Sequence, residues 1–343
     1  MTSTTKESIH QDNLLEVKDL KISFKTDEGI VTAVDGVNFS VKRGQTLGIV
    51  GESGSGKSVS TWSIMRLLPK NSIIQKNSSI QFRRKDDEVV EITNLRPTSR
   101  ELRELRGGEV ALIFQEPMSS FSPVYTIGNQ IMEAILQHRD VSKDEAQEIA
   151  IDMLDRVGIS NPRQRFRQYP FELSGGMRQR AMIAVALSMN PSLLIADEPT
   201  TSLDVTIQAQ ILKLMRDLQQ DLGMSIIFIT HNLGVIAQVA DEVEVMYLGK
   251  ILERGTAKEI IPQPQHPYTQ ALLRAIPQLD HLGERLTAIS GDIPSPLARP
   301  AGCPFHTRCE KIIPGTCDAE MPSPTQLSDT HIVYCFLHED RDV

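Results

Sequence analysis

Long apolar runs are missing from this chain of 343 residues. The longest candidate, residues 181–187, falls far short of the roughly 18 apolar residues that a membrane-spanning helix needs. Residues 1–13 are polar and lack the apolar core of a signal peptide. A chain with neither feature is expected in the cytosol, or held at a membrane by a partner. A basic excess is missing too: the formal net charge is −8, which gives no overall signature of nucleic-acid binding. Cysteine is absent from the first 302 residues, and all four cysteines follow as Cys303, Cys309, Cys317 and Cys335. In a reducing compartment such clustering suggests a metal more than disulfides. No internal repeat is visible. Apolar residues make up 40% of the chain, enough to fill a core, and the length allows about two domains.

The most informative stretch is residues 51–58, Gly-Glu-Ser-Gly-Ser-Gly-Lys-Ser. It fits G-x-x-x-x-G-K-[ST], with Gly51, Gly56, Lys57 and Ser58 at the fixed positions and Glu52, Ser53, Gly54 and Ser55 between them. Glycines let the backbone curl so that its N–H groups converge on phosphate oxygens. Lys57 can reach the outer phosphates as a point charge. Ser58 can offer a hydroxyl to Mg²⁺, a hard cation that prefers oxygen. The mostly apolar residues 46–50 before the loop read as a strand, and residues 61–68 after it continue helically. The start of that helix would turn its positive dipole end toward phosphate.

Upstream, residues 15–24 alternate as a strand, and residues 30–34 and 37–41 read as two more. Phe24 is a candidate either for the core or for stacking on a base. Residues 71–94 read as an exposed antiparallel addition, and residues 99–106 suit a short charged helix. The apolar run 110–114 reads as a buried strand ending on Gln115-Glu116-Pro117. Between 127 and 157 the apolar residues Ile131, Ile135, Leu136, Ile149, Met153, Leu154 and Val157 recur at helical spacing, predicting an inserted helical subdomain. Ser174 is a fair N-cap for a helix to about Met189, and Gly175 and Gly176 expose its first N–H groups. Residues 193–196 form an apolar strand that runs into Asp197 and Glu198. Asp197 can hold a Mg²⁺ shell, and Glu198 can orient or deprotonate an attacking water. Exposed turn acids are the plainer reading of that pair, but an apolar strand leads directly into it. Ser202-Leu203-Asp204 opens a helix to about Leu222; the strand 225–229 then ends at Thr230-His231, where a histidine could meet a γ-phosphate.

After residue 260 prolines recur at 262, 264, 267, 277, 294, 296, 300 and 304, which predicts an extended appendage with one helix, residues 268–275. Five, seven and seventeen residues separate its successive cysteines. Four thiolates can bind zinc or a [4Fe–4S] cluster. Structural zinc sites usually contain a tight C-x₂₋₄-C pair, which is missing here, and wider spacing suits the larger cluster. Small buried hydrophobes are the bland alternative.

The phosphate loop, Gln115, the 173–177 segment, Asp197-Glu198, residues 202–204 and His231 occur in an order that resembles the nucleotide-binding subunits of ABC transporters, over about residues 14–255. The resemblance implies an α/β fold: a P-loop ABC-type ATPase core with an antiparallel β subdomain and an inserted helical subdomain at about 116–172. A leader, 1–13, would precede it, and a C-terminal proline-rich metal-binding extension, 256–343, would follow. It implies that Gly51 to Ser58 form the Walker A loop and that Gln115 contacts Mg²⁺ and senses a membrane subunit. Ser174, Gly175 and Gly176 match the signature motif, read here as Leu-Ser-Gly-Gly-Met where Gln is the commonest last residue. Asp197 matches the Walker B aspartate, Glu198 the catalytic glutamate, Asp204 the D-loop, His231 the switch histidine and Phe24 the adenine-stacking aromatic. Residues 266–273, 289–296 and 302–309 are similar to the extension of oligopeptide and dipeptide importers, some of which hold a [4Fe–4S] cluster there. The implied activity is MgATP-dependent hydrolysis to ADP and phosphate that energises peptide import. The implied partners are two integral membrane permease subunits, a second and related ATPase subunit, and an extracytoplasmic peptide-binding protein, with the chain peripheral on the cytoplasmic face of the inner membrane. ATP would lie between the Walker A loop of one ATPase subunit and the signature segment of the other. An importer of nickel or another small solute, or a soluble ABC ATPase outside transport, are the alternatives.

Overall fold

The computed structural model describes residues 9–115, 120–201, 203–276 and 289–339. The expected features at residues 1–8, Glu116, Pro117, Ser202 and Pro277 lie outside the described residues.

In chain order the principal elements are β1 (Asn13–Thr26), β2 (Gly29–Lys42), β3 (Thr46–Val50), α1 (Lys57–Ile64), β4 (Ser72–Ile74), β5 (Ser79–Arg83), β6 (Val89–Glu91), α2 (Arg100–Gly108) and β7 (Val110–Ile113). There follow α3 (Ile127–His138), α4 (Lys143–Arg156), α5 (Gly175–Leu187), β8 (Leu193–Asp197), α6 (Val205–Leu222), β9 (Ser225–Thr230), α7 (Leu233–Val239), β10 (Glu242–Tyr247), β11 (Lys250–Thr256), α8 (Pro267–Arg274), β12 (Thr325–Gln326) and β13 (Ile332–Val333).

Two sheets carry the fold. An antiparallel sheet runs β2-β1-β5-β6, with β4 also paired to β1. The larger sheet runs β12-β13-β11-β10-β3-β9-β8-β7. Its middle, β10-β3-β9-β8-β7, is parallel. Every residue of β3, β8 and β9 is buried, as continuous apolar runs in a parallel sheet covered on both faces require. Register then aligns the functional ends: Val50 pairs with Thr230, and Asp197 with Ile229. The loop 51–56, Glu198 and His231 therefore emerge together beyond the carboxyl ends of adjacent strands, where open α/β sheets bind ligands.

The inserted helices follow the apolar spacing. In α3, Ile127, Ile131 and Ile135 are buried; in α4, Ala146, Ala150, Met153 and Leu154 are. Thr126 and Ser142 cap these helices by accepting from Asn129 and Glu145 N–H. Among the described residues, no helix is long and apolar enough to cross a membrane.

Four expectations change. The addition expected as exposed at 71–94 is antiparallel but buries Ile80, Phe82, Val90 and Ile92, because β5 pairs with β1 over the core. The two strands expected at 30–34 and 37–41 are one strand, β2, because the ladder absorbs Asp35-Gly36 through register shifts and Gly36 takes φ +74°. The helix after the phosphate loop stops at Ile64, where the backbone leaves helical geometry and Arg66 takes φ +53°. The extension is not an appendage in its described parts: β13 pairs antiparallel with β11 and covers what would otherwise be the edge of the main sheet. Val333, Phe305 and Phe336 are buried in this docking. His331 Nε2 meets Glu253 Oε1 at 2.8 Å, and Glu253 also accepts from the Gln265 and His266 N–H groups. A buried carboxylate needs such partners; burial raises its pKa, and these hydrogen bonds outweigh that and bring it below the usual range.

Candidate active site

Gly51 follows β3 directly, and a side chain there would run into the Met246 carbonyl. Gly56 holds φ +98°, and a Cβ would sit 2.6 Å from the Ala33 carbonyl oxygen. Only glycine satisfies both positions, and Gly54 at φ +79° completes the curl. Lys57 opens α1 and is buried, with Nζ donating to the carbonyl oxygens of Gly51 at 2.8 Å and Glu52 at 2.9 Å. Burial lowers its pKa, while the charges of Glu198, Asp197 and Glu52 oppose the fall. Ser55 lies in the loop and Ser58 in the first turn of α1; Ser58 Oγ donates to Asp197 Oδ1 at 2.9 Å.

Asp197 ends β8. Its second oxygen accepts from Trp62 Nε1 at 3.0 Å, a contact that nothing in the sequence announces. Desolvation raises its pKa, against the hydrogen bonds from Ser58 and Trp62. Glu198 follows with φ +47°, a conformation costly for a residue with a side chain and characteristic of functional turns. That turn aims its carboxylate at three partners: Gln115 Nε2 at 3.1 Å, Thr201 Oγ1 at 3.0 Å and His231 Nδ1 at 3.3 Å. The hydrogen bond with His231 is the main cause that lowers the Glu198 pKa and raises that of His231. Glu198 is thus held as the carboxylate, the form that can accept a proton from water.

Gln115, Lys57, Ser58, Asp197, Glu198 and His231 are therefore linked in one polar cluster. The residues 174–176 and Asp204 make separate, local bonds. Ser174 Oγ accepts from Met177 N–H and caps α5; Asp204 Oδ1 accepts from Ile207 N–H and caps α6. Ser174 and Gly175 are exposed, and Gly176 packs near Ile207 of α6. Phe24 lies partly buried in β1 opposite Val31 and Ser72, packed on the apolar cluster of the antiparallel sheet. Ser53 is exposed in the loop.

Reasoning from sequence missed Thr201, Trp62, Tyr268 and Arg308. The Glu52 N–H donates to Tyr268 Oη at 2.9 Å, and Arg308 grips the Glu52 carboxylate with both terminal nitrogens, at 2.6 and 3.1 Å. These pairs are separated by 216 and 256 residues, and no local pattern marks them.

The metal expected at the cysteines is not seen as a single-ion site among the described residues. Cys303, Cys309, Cys317 and Cys335 are free thiols, three of them buried. Among the described residues no group of three or more His, Cys, Asp or Glu could hold a metal ion, so the zinc alternative finds no site there. Burial pushes the Cys303 thiol up to about 12 and the Cys335 thiol up to about 11.

A phosphate loop, an Asp-Glu pair and a histidine at the ends of neighbouring parallel strands, with a helical insertion and a flanking antiparallel sheet, define an ATPase of the ABC type. A sequence family described as ABC transporter matches residues 34–201, and one described as Oligopeptide/dipeptide transporter, C-terminal region, matches residues 252–317. The chain is 48% identical over 330 residues to the dipeptide transport ATP-binding protein DppD of Bacillus subtilis, covering 96% of each chain. It is 50% identical over 335 residues to the oligopeptide transport ATP-binding protein OppD of the same organism, covering 97% of this chain and 91% of OppD. Among solved structures it resembles CbiO1 from Clostridium perfringens, with TM-score 0.60 and 27% identity over 74% of this chain and 92% of that one. The ATP-binding cassette MJ0796 shares the fold, with TM-score 0.61 and 24% identity over 71% of this chain and 98% of that one. The chain belongs to the ATP-binding proteins of ABC transporters that carry the oligopeptide/dipeptide C-terminal region.

Proposed function

We propose that this chain is the ATP-hydrolysing subunit that energises import of dipeptides or oligopeptides through a membrane ABC transporter. The carrying observation is the union, in one chain, of the polar cluster around Asp197 and Glu198 with the region 252–317 described for oligopeptide and dipeptide transporters. We divide it into a leader, 1–13, an ATPase domain, 14–255, with a helical subdomain at 116–172, and the extension 256–343. The loop 51–58 binds the phosphates of ATP, and Phe24 stacks on the adenine. Mg²⁺ fits the oxygen donors of Ser58, Asp197 and Gln115, and when bound it neutralises phosphate charge. Glu198 takes the proton of the attacking water, while Gln115, Thr201 and His231 hold its carboxylate in place. Ser174, Gly175, Gly176 and Asp204 serve the ATP of a second, related ATPase subunit; the exposure of Ser174, Gly175 and Asp204 at helix starts, apart from the polar cluster, supports this.

The partners are two permease subunits, which bind the chain at the cytoplasmic face of the inner membrane, and an extracytoplasmic peptide-binding protein. Isolation of the assembled complex and identification of its subunits tests this reading. Permeases, a related ATPase chain and peptide-stimulated hydrolysis are expected; an active assembly without membrane subunits overturns it.

For the four cysteines the reading is a [4Fe–4S] cluster that pins the proline-rich segment. Its support is that the Cys303 N–H donates to the Cys317 carbonyl at 2.8 Å and that Cys303, Cys309 and Cys317 share one apolar cluster. A four-iron cluster spaces its thiolates more widely than one ion does. Anaerobically purified protein should carry iron and sulfide and be brown, and Cys303→Ser should lose the colour. Folded, active protein with neither metal nor sulfide returns the cysteines to simple packing.

A further inference from the structure

The C-terminal extension reaches the phosphate loop, and the contact falls on one residue. Glu52 is the second residue of the loop, and each of its polar groups is held. Tyr268 takes its N–H; Lys57 and the Ser55 N–H take its carbonyl, at 2.9 and 3.2 Å; Arg308 takes its carboxylate. Tyr268 and Arg308 both belong to the extension. Neither is a loose surface contact. Tyr268 is fully buried, and Arg308 is 8% exposed. Tyr247, Tyr268 and Phe305 pack ring against ring, with centroids 4.8 to 5.4 Å apart, and fix the tyrosine hydroxyl. Arg308 follows in the same turn as Phe305, and its Nε donates to the Ser290 carbonyl at 3.1 Å while Nη1 also meets Tyr247 Oη at 3.3 Å. The guanidinium is thus oriented before it meets Glu52, in the bidentate geometry that arginine alone provides. A second strut lies nearby. Arg299 bonds Asp35 at 2.9 Å and the Leu248 carbonyl, and the next residue, Gly249, donates to the Ser55 carbonyl at 2.8 Å.

Glu52 sets an electrostatic problem for such a loop. A carboxylate beside a polyphosphate repels it, and partial burial strengthens the repulsion. Arg308 cancels this charge while Tyr268 and Lys57 fix the backbone that must point N–H groups inward. We propose that Arg308 and Tyr268 are positioning residues of the phosphate loop, so that docking of the extension sets the affinity of the loop for nucleotide phosphate. Removal of the extension's grip then weakens ATP binding without touching the groups that activate water.

The inference rests on the reading of residues 51–58 as the ATP site. The affinity of the parent chain for ATP checks that reading, and the ratio of variant to parent checks this one. The measurement is titration of the full-length chain with a fluorescent ATP analogue, with KM and kcat for ATP alongside. Arg308→Ala should raise Kd and KM for ATP about ten-fold, with kcat at saturation within about two-fold. In a Glu52→Gln background the same substitution should add less than about two-fold, because the charge that Arg308 cancels is gone. Arg308→Lys should recover part of the loss, and Arg274→Ala, which breaks the exposed pair with Glu310 in the same extension, should change nothing. Affinity of Arg308→Ala within two-fold of the parent, or an equal loss in the Glu52→Gln background, overturns the proposal. Should Arg308→Ala fail to fold, Tyr268→Phe decides: it removes only the hydroxyl and should raise Kd about three-fold or more at unchanged Tm, and unchanged affinity overturns the proposal.

Discussion

Glu198→Gln is expected to lower ATP turnover by about a hundred- to ten-thousand-fold while MgATP still binds, the loss that follows removal of a general base. The substitution is well controlled by the geometry. Gln has the size of Glu and suits the left-handed backbone at φ +47° no worse, so the turn after β8 should persist. Its amide can still bond Gln115, Thr201 or His231, but it cannot take a proton from water. Since the Glu198 hydrogen bond is the leading cause of the raised His231 pKa, that histidine should also titrate lower in the variant. The sign follows from the charges: a carboxylate beside an imidazole favours the imidazolium, and a neutral amide does not. Steady-state hydrolysis reads the first effect and NMR titration of His231 the second. Near-normal turnover would sink the role given to Glu198. Lost turnover with an unmoved His231 would keep the base but remove the pairing.

Much of this site is legible in the sequence. The runs 46–50, 193–197 and 225–229 are short and mostly apolar, as buried strands are, and each leads directly into a site residue; the parallel register brings Gly51, Glu198 and His231 to one end. Ser174 and Asp204 were readable as helix starts because a capping oxygen acts over three residues. What sequence could not supply was contact over long separation. Trp62 on Asp197 spans 135 residues and Arg308 on Glu52 spans 256, and each depends on a rotamer chosen by packing rather than by neighbours in the chain. The proline-rich extension misled for a related reason. Prolines forbid long helices, but they do not prevent two short strands from closing the edge beside β11, nor Phe305 from wedging against Tyr247 and Tyr268. The apolar pattern along β2 breaks at Asp35-Gly36. In the fold Asp35 is gripped by Lys21, Lys250 and Arg299, so the break in apolar pattern marks a charged junction inside one strand.

Lys57→Ala should give the opposite signature from Glu198→Gln: loss of nucleotide binding itself. Lys57 Nζ lies 2.8 and 2.9 Å from two loop carbonyls, with the buried side chain already directed into the curl that phosphate would enter. Moving the ammonium from these carbonyls onto phosphate oxygens exchanges neutral acceptors for charged ones, and a charge-assisted hydrogen bond is worth roughly 1.5–3 kcal/mol. Its removal should therefore weaken ATP binding about 10- to 100-fold, with further loss because Glu52, Asp197 and Glu198 then face the phosphates with one cation fewer. Lys57→Arg keeps the charge, but the larger planar head must enter a space where the lysine is only 5% exposed, so it should restore little. The effect should also couple to Arg308, because both cations act on Glu52, one through its carbonyl and the other through its carboxylate. Titration with ATP in the presence of Mg²⁺ separates the cases. Binding by Lys57→Ala within about two-fold of the parent would mean that the loop amides alone carry the phosphates, and that the lysine braces the loop rather than the nucleotide.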